Sequence, residues 1–178
     1  HRYSLAGIGN IRDFDGVTVA SRQPSGNGIV HLATLDPDGS MTTNSVSSPH
    51  TTYDNPTFGS SIVLLDNMVG IGSGNTWINS PHDGQFYAYN NDLSNLISSD
   101  NPQPHAAQYY GTAASGGDGF FVVAEDGNLG SWNTETAITV YATHENTINQ
   151  VFRNVFVSSG TGGSRLRGLT ATRDHVIG

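Results

Sequence analysis

Apolar and β-branched residues fall along this chain in short runs, broken by clusters of Gly, Pro, Asn, Asp and Ser. That is the pattern of strands and turns, not of helices. Tyr3–Ile8 and Val17–Ala20 are weak strand candidates, with a turn at Arg12–Gly16 between them and a loop at Gln23–Gly28 after them. Ile29–Leu35 reads as a strand closed by the turn residues Asp36-Pro37-Asp38-Gly39. Met41–Thr57 is polar and reads as a long surface loop. Ser60–Asp66 reads as a buried strand, and Val69–Pro81 as irregular chain. Gln85–Tyr89 alternates, with Phe86 and Ala88 on one face and Gln85, Tyr87 and Tyr89 on the other. Asn90–Gly119 reads as loop with a helical turn near Asp92–Ile97, and Phe120–Ala124 as a strand ended by a turn at Glu125–Asn128. Thr136–Thr143, Val151–Val157 and Leu166–Thr172 are three further strands, the last two joined by the Gly-rich turn Ser158–Gly163.

About eight strands result, with no repeat at propeller or solenoid period. Short strands separated by turns predict a β-barrel or a sandwich. The 178 residues make one domain, 1–178, with 1–28 as an extra N-terminal strand region. Composition agrees with an all-β chain: 22 Gly, 12% charged residues and no Lys. A net charge of −8 without a basic cluster argues against nucleic acid and against an anionic membrane as partners. No apolar run reaches transmembrane length. With no Cys there is no disulfide framework and no thiolate metal site. The Ser/Thr/Asn/Gly-rich composition points to a secreted protein, and the start at His1 rather than Met to a removed leader or tag.

Asp36 and Asp66 each end an apolar strand, where desolvation raises a carboxyl pKa and suits it to proton transfer. Arg153 lies inside an apolar strand and would hold a carboxylate or orient a phenolate. Phe86, Tyr87, Phe121 and Tyr141 would supply aromatic walls and a hydroxyl. Each residue also has a plain structural reading: turn caps for the two Asp, a snorkelling Arg153, and core packing for the rings. Asp13-x-Asp15-Gly16 and Asp36-x-Asp38-Gly39 resemble calcium-loop fragments but lack the downstream Glu, so they read as turns. The seven His show no metal-ligand spacing.

The run Val151-Phe-Arg-Asn-Val-Phe-Val-Ser-Ser-Gly-Thr-Gly-Gly-Ser-Arg-Leu-Arg-Gly168 resembles a segment of the dirigent proteins, which are allene-oxide-cyclase-like β-barrels. Ile29–Asp36, Pro56–Val69 and Pro81–Tyr89 are similar to three further dirigent segments, in the family's order. The resemblance implies an all-β, eight-stranded antiparallel barrel forming a homo-oligomer, trimer or dimer. It implies no cofactor, a small phenolic or quinone-methide-type substrate, and a separate oxidase as partner where radicals are coupled. The activity implied is steering, cyclisation or dehydration, with Asp36, Asp66 and Arg153 as catalytic residues. His82, Phe86, Tyr87, Phe121, Tyr141 and Asn146 would line the substrate pocket. An N-terminal strand, Tyr3–Ile8 or Val17–Ala20, would border Leu166–Thr172 and close the barrel. The alternatives are a non-catalytic β-sandwich binding carbohydrate through Trp77, Trp132 and Tyr residues, or a surface structural protein.

Overall fold

The computed structural model describes residues 10–23, 28–49, 57–74, 84–100, 109–125, 135–157, 170–171 and 176–177. These residues form strands and turns, in three four-stranded antiparallel sheets and one short hairpin. Sheet I comprises β1 (Asn10–Phe14), β2 (Thr18–Gln23), β3 (Ile29–Leu35) and β4 (Met41–Ser47). Sheet II comprises β5 (Phe58–Leu64), β6 (Met68–Ser73), β7 (Gln85–Asn90) and β8 (Leu96–Asp100). Sheet III comprises β9 (Ala113–Gly117), β10 (Phe120–Glu125), β11 (Glu135–His144) and β12 (Thr147–Val157). The hairpin pairs β13 (Thr170–Ala171) with β14 (Val176–Ile177).

Each sheet is a simple meander whose spatial order follows the chain. Tight turns set the registers. In sheet I, the Asp15 carboxylate accepts the backbone N–H groups of Val17 at 2.9 Å and Thr18 at 2.6 Å, beside Gly16 at φ 102°. The β9–β10 and β11–β12 hairpins turn on Asp118-Gly119 and Glu145-Asn146.

The core has two layers, one on each side of sheet II. Ala20, Val30 and Leu32 of sheet I pack with Phe58, Ile62, Val69, Ile71, Tyr87 and Tyr89 of sheet II. Val63, Met68, Phe86 and Ala88 of sheet II pack with Tyr110, Phe121, Val123 and Tyr141 on the side of sheet III. The middle sheet is therefore covered on both faces, and every residue of β6 is buried. The opening strands carry most of the contacts between sheets: β5 packs against β1, β2 and β3 and also against β9, β13 contacts β9, and the outer strands β8 and β12 meet as well. Polar ties cross the same junctions. Arg22 Nε donates to the Phe58 carbonyl at 2.9 Å, and the Asp13 carboxylate accepts the Leu64 N–H at 2.9 Å. Ser61 Oγ donates to the Gly111 carbonyl at 2.9 Å.

Three expectations change here. The strands divide into three sheets, and among the described residues no eight-stranded barrel closes. The Val17–Ala20 candidate sits mostly in β2, between β1 and β3, and Thr170–Ala171 pairs with Val176–Ile177, so neither borders the other. Tyr3–Ile8 lies outside the described residues. Second, β4 occupies part of the expected loop Met41–Thr57, β6 part of the expected irregular stretch, and β8 and β9 parts of Asn90–Gly119. Third, there is a structural repeat: sheets open at Asn10, Phe58 and Ala113, about 50 residues apart, within the range of known repeat periods. Phe58-Gly59 and Tyr110-Gly111 precede or begin the second and third sheets alike, with Gly59 at φ 81° and Gly111 at φ 82°.

Candidate functional site

The three proposed catalytic residues fall on three different sheets. Asp36 is in the β3–β4 turn, where its carboxylate accepts hydrogen bonds from Ser40 Oγ at 3.2 Å and Thr42 Oγ1 at 2.8 Å. Its N–H donates to the Ser40 carbonyl at 2.9 Å, which makes it a turn residue. Asp38, in the same turn, accepts the Ser40 N–H at 2.8 Å. Asp66 is exposed in the β5–β6 turn. Arg153 projects from β12 onto Glu125 of β10, with 2.7 Å between Nη2 and Oε2. To do so its side chain crosses β11, lying over the face that carries Thr139, its register partner. Two strand spacings are about 9.6 Å, a span only a long side chain covers. The Arg153 side chain is 12% exposed and that of Glu125 2%.

Three of the proposed pocket residues do come together. Phe86 meets Phe121 edge-on at 5.3 Å between ring centres and stacks on Tyr141 at 6.0 Å. Tyr87 points to the opposite face of sheet II, as its alternation requires, and meets Phe58 edge-on at 5.4 Å. All four proposed aromatic residues are fully buried and fill the two core layers. Asn146 is exposed in the β11–β12 turn. His82, Trp77 and Trp132 lie outside the described residues.

Sequence reasoning missed three partners: Glu125, Asp100 and Tyr110. Glu125 had read as the first residue of a turn, and the other two as loop. Tyr141 Oη donates to Asp100 Oδ2 at 2.8 Å and also meets Tyr110 Oη at 2.5 Å. Asp100 is on β8 and Tyr141 on β11, so this chain of hydroxyls ties sheet II to sheet III. Burial pushes the Tyr110 and Tyr141 hydroxyls well above their ordinary pKa, and for Tyr141 the neighbouring Tyr110 and Asp100 add to the rise. These hydroxyls therefore hold their protons near neutral pH and serve as donors rather than bases.

Tyr89 follows the same logic: burial pushes its hydroxyl up to about 12 from 10.0. An unfolded tyrosine ionises near its ordinary value, while these buried ones keep the proton to higher pH. The contribution of these tyrosines to stability is thus constant below about pH 10 and is lost as pH rises from there towards the folded-state values. In an alkaline titration, tyrosinate absorbance of the buried set should rise together with loss of near-UV circular dichroism. Ionisation of all the tyrosines near their ordinary value with the fold intact would contradict this.

The open concavities lie elsewhere, at the turn ends of the three sheets. One, of about 220 Å³, is lined by Leu64–Asn67 and Gly116–Gly119. Another, of about 300 Å³, is lined by Asp13, Asp15, Ile62–Leu64 and Ala114–Gly116. They share Leu64 and Gly116, so they adjoin across the junction of all three sheets. Their rim carries four carboxylates: Asp13, Asp15, Asp66 and Asp118. Asp13 and Asp15 already accept backbone N–H groups, whereas Asp66 and Asp118 stand exposed. Of the residues proposed from sequence as catalytic or substrate-binding, only Asp66 lines this groove among those described, and it is joined there by Asp13 and Asp15, which had read as turn residues. Comparison with protein families and with curated proteins matches no family model and no relative.

Proposed function

We propose that this chain is a non-catalytic interaction module whose acidic groove, at the turn ends of its three sheets, receives a positively charged, flexible partner. The carrying observation is the pair of adjoining clefts around Leu64 and Gly116, rimmed by four Asp side chains on a molecule of net charge −8. A carboxylate-lined concavity focuses the field and raises the local concentration of cations. The most reactive-looking groups are meanwhile used for structure: Asp36 caps a turn, Arg153 neutralises Glu125, and Tyr141 joins two sheets.

Amide chemical-shift mapping separates this reading from the others. A Lys-rich peptide should shift Asp66, Asn67 and Gly116–Gly119, and the effect should weaken with added salt because exposed charges are screened. Asp66→Asn with Asp118→Asn should weaken binding severalfold with the fold unchanged. A neutral oligosaccharide shifting the same amides would instead support carbohydrate binding. A phenolic compound that shifts Phe86 and Tyr141 and leaves the groove silent would favour the dirigent-type steering of aromatic metabolites.

A further inference from the structure

The sequence contains five Asp-Gly pairs, and three of them lie within the described residues: Asp15-Gly16, Asp38-Gly39 and Asp118-Gly119. Each pair forms a tight turn, with its glycine at φ 102°, 84° and 79° in that order. All six residues are exposed, so access of water does not distinguish them. A glycine after an aspartate leaves the way open for its own nitrogen to reach the preceding side chain, because it has no Cβ.

Hydrogen bonding does distinguish the three. The Asp15 carboxylate is held by the N–H groups of Val17 and Thr18. In Asp38-Gly39 both groups that would react are held. The carboxylate accepts the Ser40 N–H at 2.8 Å, and the Gly39 N–H donates to the Asp36 carbonyl at 2.9 Å. Asp118-Gly119 is the exception: among the described residues its carboxylate accepts no hydrogen bond and its glycine N–H donates none. The Gly119 carbonyl alone is tied, by the Thr143 N–H at 2.8 Å. A Cβ at Gly119 would meet nothing nearer than Thr143 Oγ1 at 3.9 Å, so this turn has room to change shape.

We propose that Asp118-Gly119 is a modification site, where the backbone rearranges spontaneously and Asp118 becomes isoaspartate. The Gly119 nitrogen attacks the Asp118 side-chain carboxyl carbon. The N–Cγ bond forms as one carboxyl oxygen leaves as water, taking the N–H proton and one proton from solvent. A second water then opens the ring at the bond between the Gly119 nitrogen and the Asp118 main-chain carbonyl carbon. The chain now runs through Cβ and Cγ, and the former main-chain carbonyl is the free carboxylate. One water departs, one enters, and no oxidant or cofactor takes part. The link between the register partners Gly117 and Phe120 is one carbon longer. Asp118 lines the cleft shared with Leu64–Asn67, so the reaction lengthens that rim and moves its carboxylate, whatever the cleft receives.

The test is to hold residues 1–178 at neutral pH, folded in buffer and unfolded in urea. Samples taken over time are digested, and electron-transfer fragmentation of the peptides marks each β-linked aspartate. In the folded protein, isoaspartate at position 118 should accumulate at least about tenfold faster than at 15 or 38, the scale of breaking one hydrogen bond to a charged group. In urea, where those bonds are gone, the three rates should converge. Equal rates in the folded protein would overturn the proposal. So would an excess at position 118 that persists undiminished in urea, since neighbouring sequence rather than the fold would then set it.

Discussion

Arg153→Ala is expected to lower the unfolding free energy by about 3–5 kcal/mol, because it removes the counter-charge of a buried carboxylate. Glu125 is 1% exposed, and the Arg153 guanidinium lies 2.7 Å from its carboxylate. Removing the cation takes the counter-charge from an anion buried in a low-dielectric layer between β10 and β12, where charge is costly. The same truncation removes the apolar stem that Arg153 lays across β11. Against a typical domain stability of about 5–15 kcal/mol, this approaches unfolding. The pair is not optimal, since Arg153 Nε is buried without a hydrogen-bond partner. Arg153→Met combined with Glu125→Leu should therefore recover most of the loss, as apolar replacement of buried ion pairs often does. Urea unfolding of the two single variants and the double variant measures the coupling. A dirigent-type role for Arg153 makes a different demand: Arg153→Ala would keep the fold and alter only a product's stereochemistry. A loss under about 1 kcal/mol, the range of an exposed ion pair, would remove the structural account.

The same residue marks how far sequence reading goes. An Arg inside an apolar strand signals that a partner is needed, and that much is legible in Val151–Val157. The partner's identity depends on register, since Arg153 reaches Glu125 only across an intervening strand. Strands with alternation or an apolar run were readable: Ile29–Leu35 matches β3, and Gln85–Tyr89, Phe120–Ala124 and Thr136–Thr143 lie within β7, β10 and β11. β6 was hidden for the opposite reason. Covered on both faces and containing Gly70 and Gly72, it has no period to detect. β4 is Thr/Ser/Asn-rich and exposed almost throughout, so no apolar face announces it. Strand count alone did not distinguish a rolled tube from stacked sheets, because both use short strands and turns. The repeat was obscured because sheet I lacks the aromatic-Gly opening that Phe58-Gly59 and Tyr110-Gly111 share.

That opening explains why sheets II and III sit so close, and Gly72→Ala tests it. A Cβ at Gly72 would lie 2.0 Å from the Gly111 carbonyl oxygen and 2.2 Å from Ser61 Oγ. Ser60 and Ser61 both donate to that carbonyl, at 3.3 and 2.9 Å, so a methyl group there pushes apart the atoms that hold the junction. Gly111 has little room to yield: it holds φ at 82°, and its N–H donates to the Ala124 carbonyl at 2.9 Å. The sheets must separate locally, which adds overpacking of about 1–3 kcal/mol to the cost, also about 1–3 kcal/mol, of a buried carbonyl losing its donors. Gly16→Ala is the control, since nothing lies within 4 Å of a Cβ there and only its φ of 102° resists substitution. Gly72→Ala should lower the midpoint of urea unfolding well beyond Gly16→Ala, and should speed amide exchange at both Gly111 and Ser61. If exchange quickens only within β6, or if the two variants are equally stable, the close approach of Gly72 to Gly111 is not what joins sheets II and III.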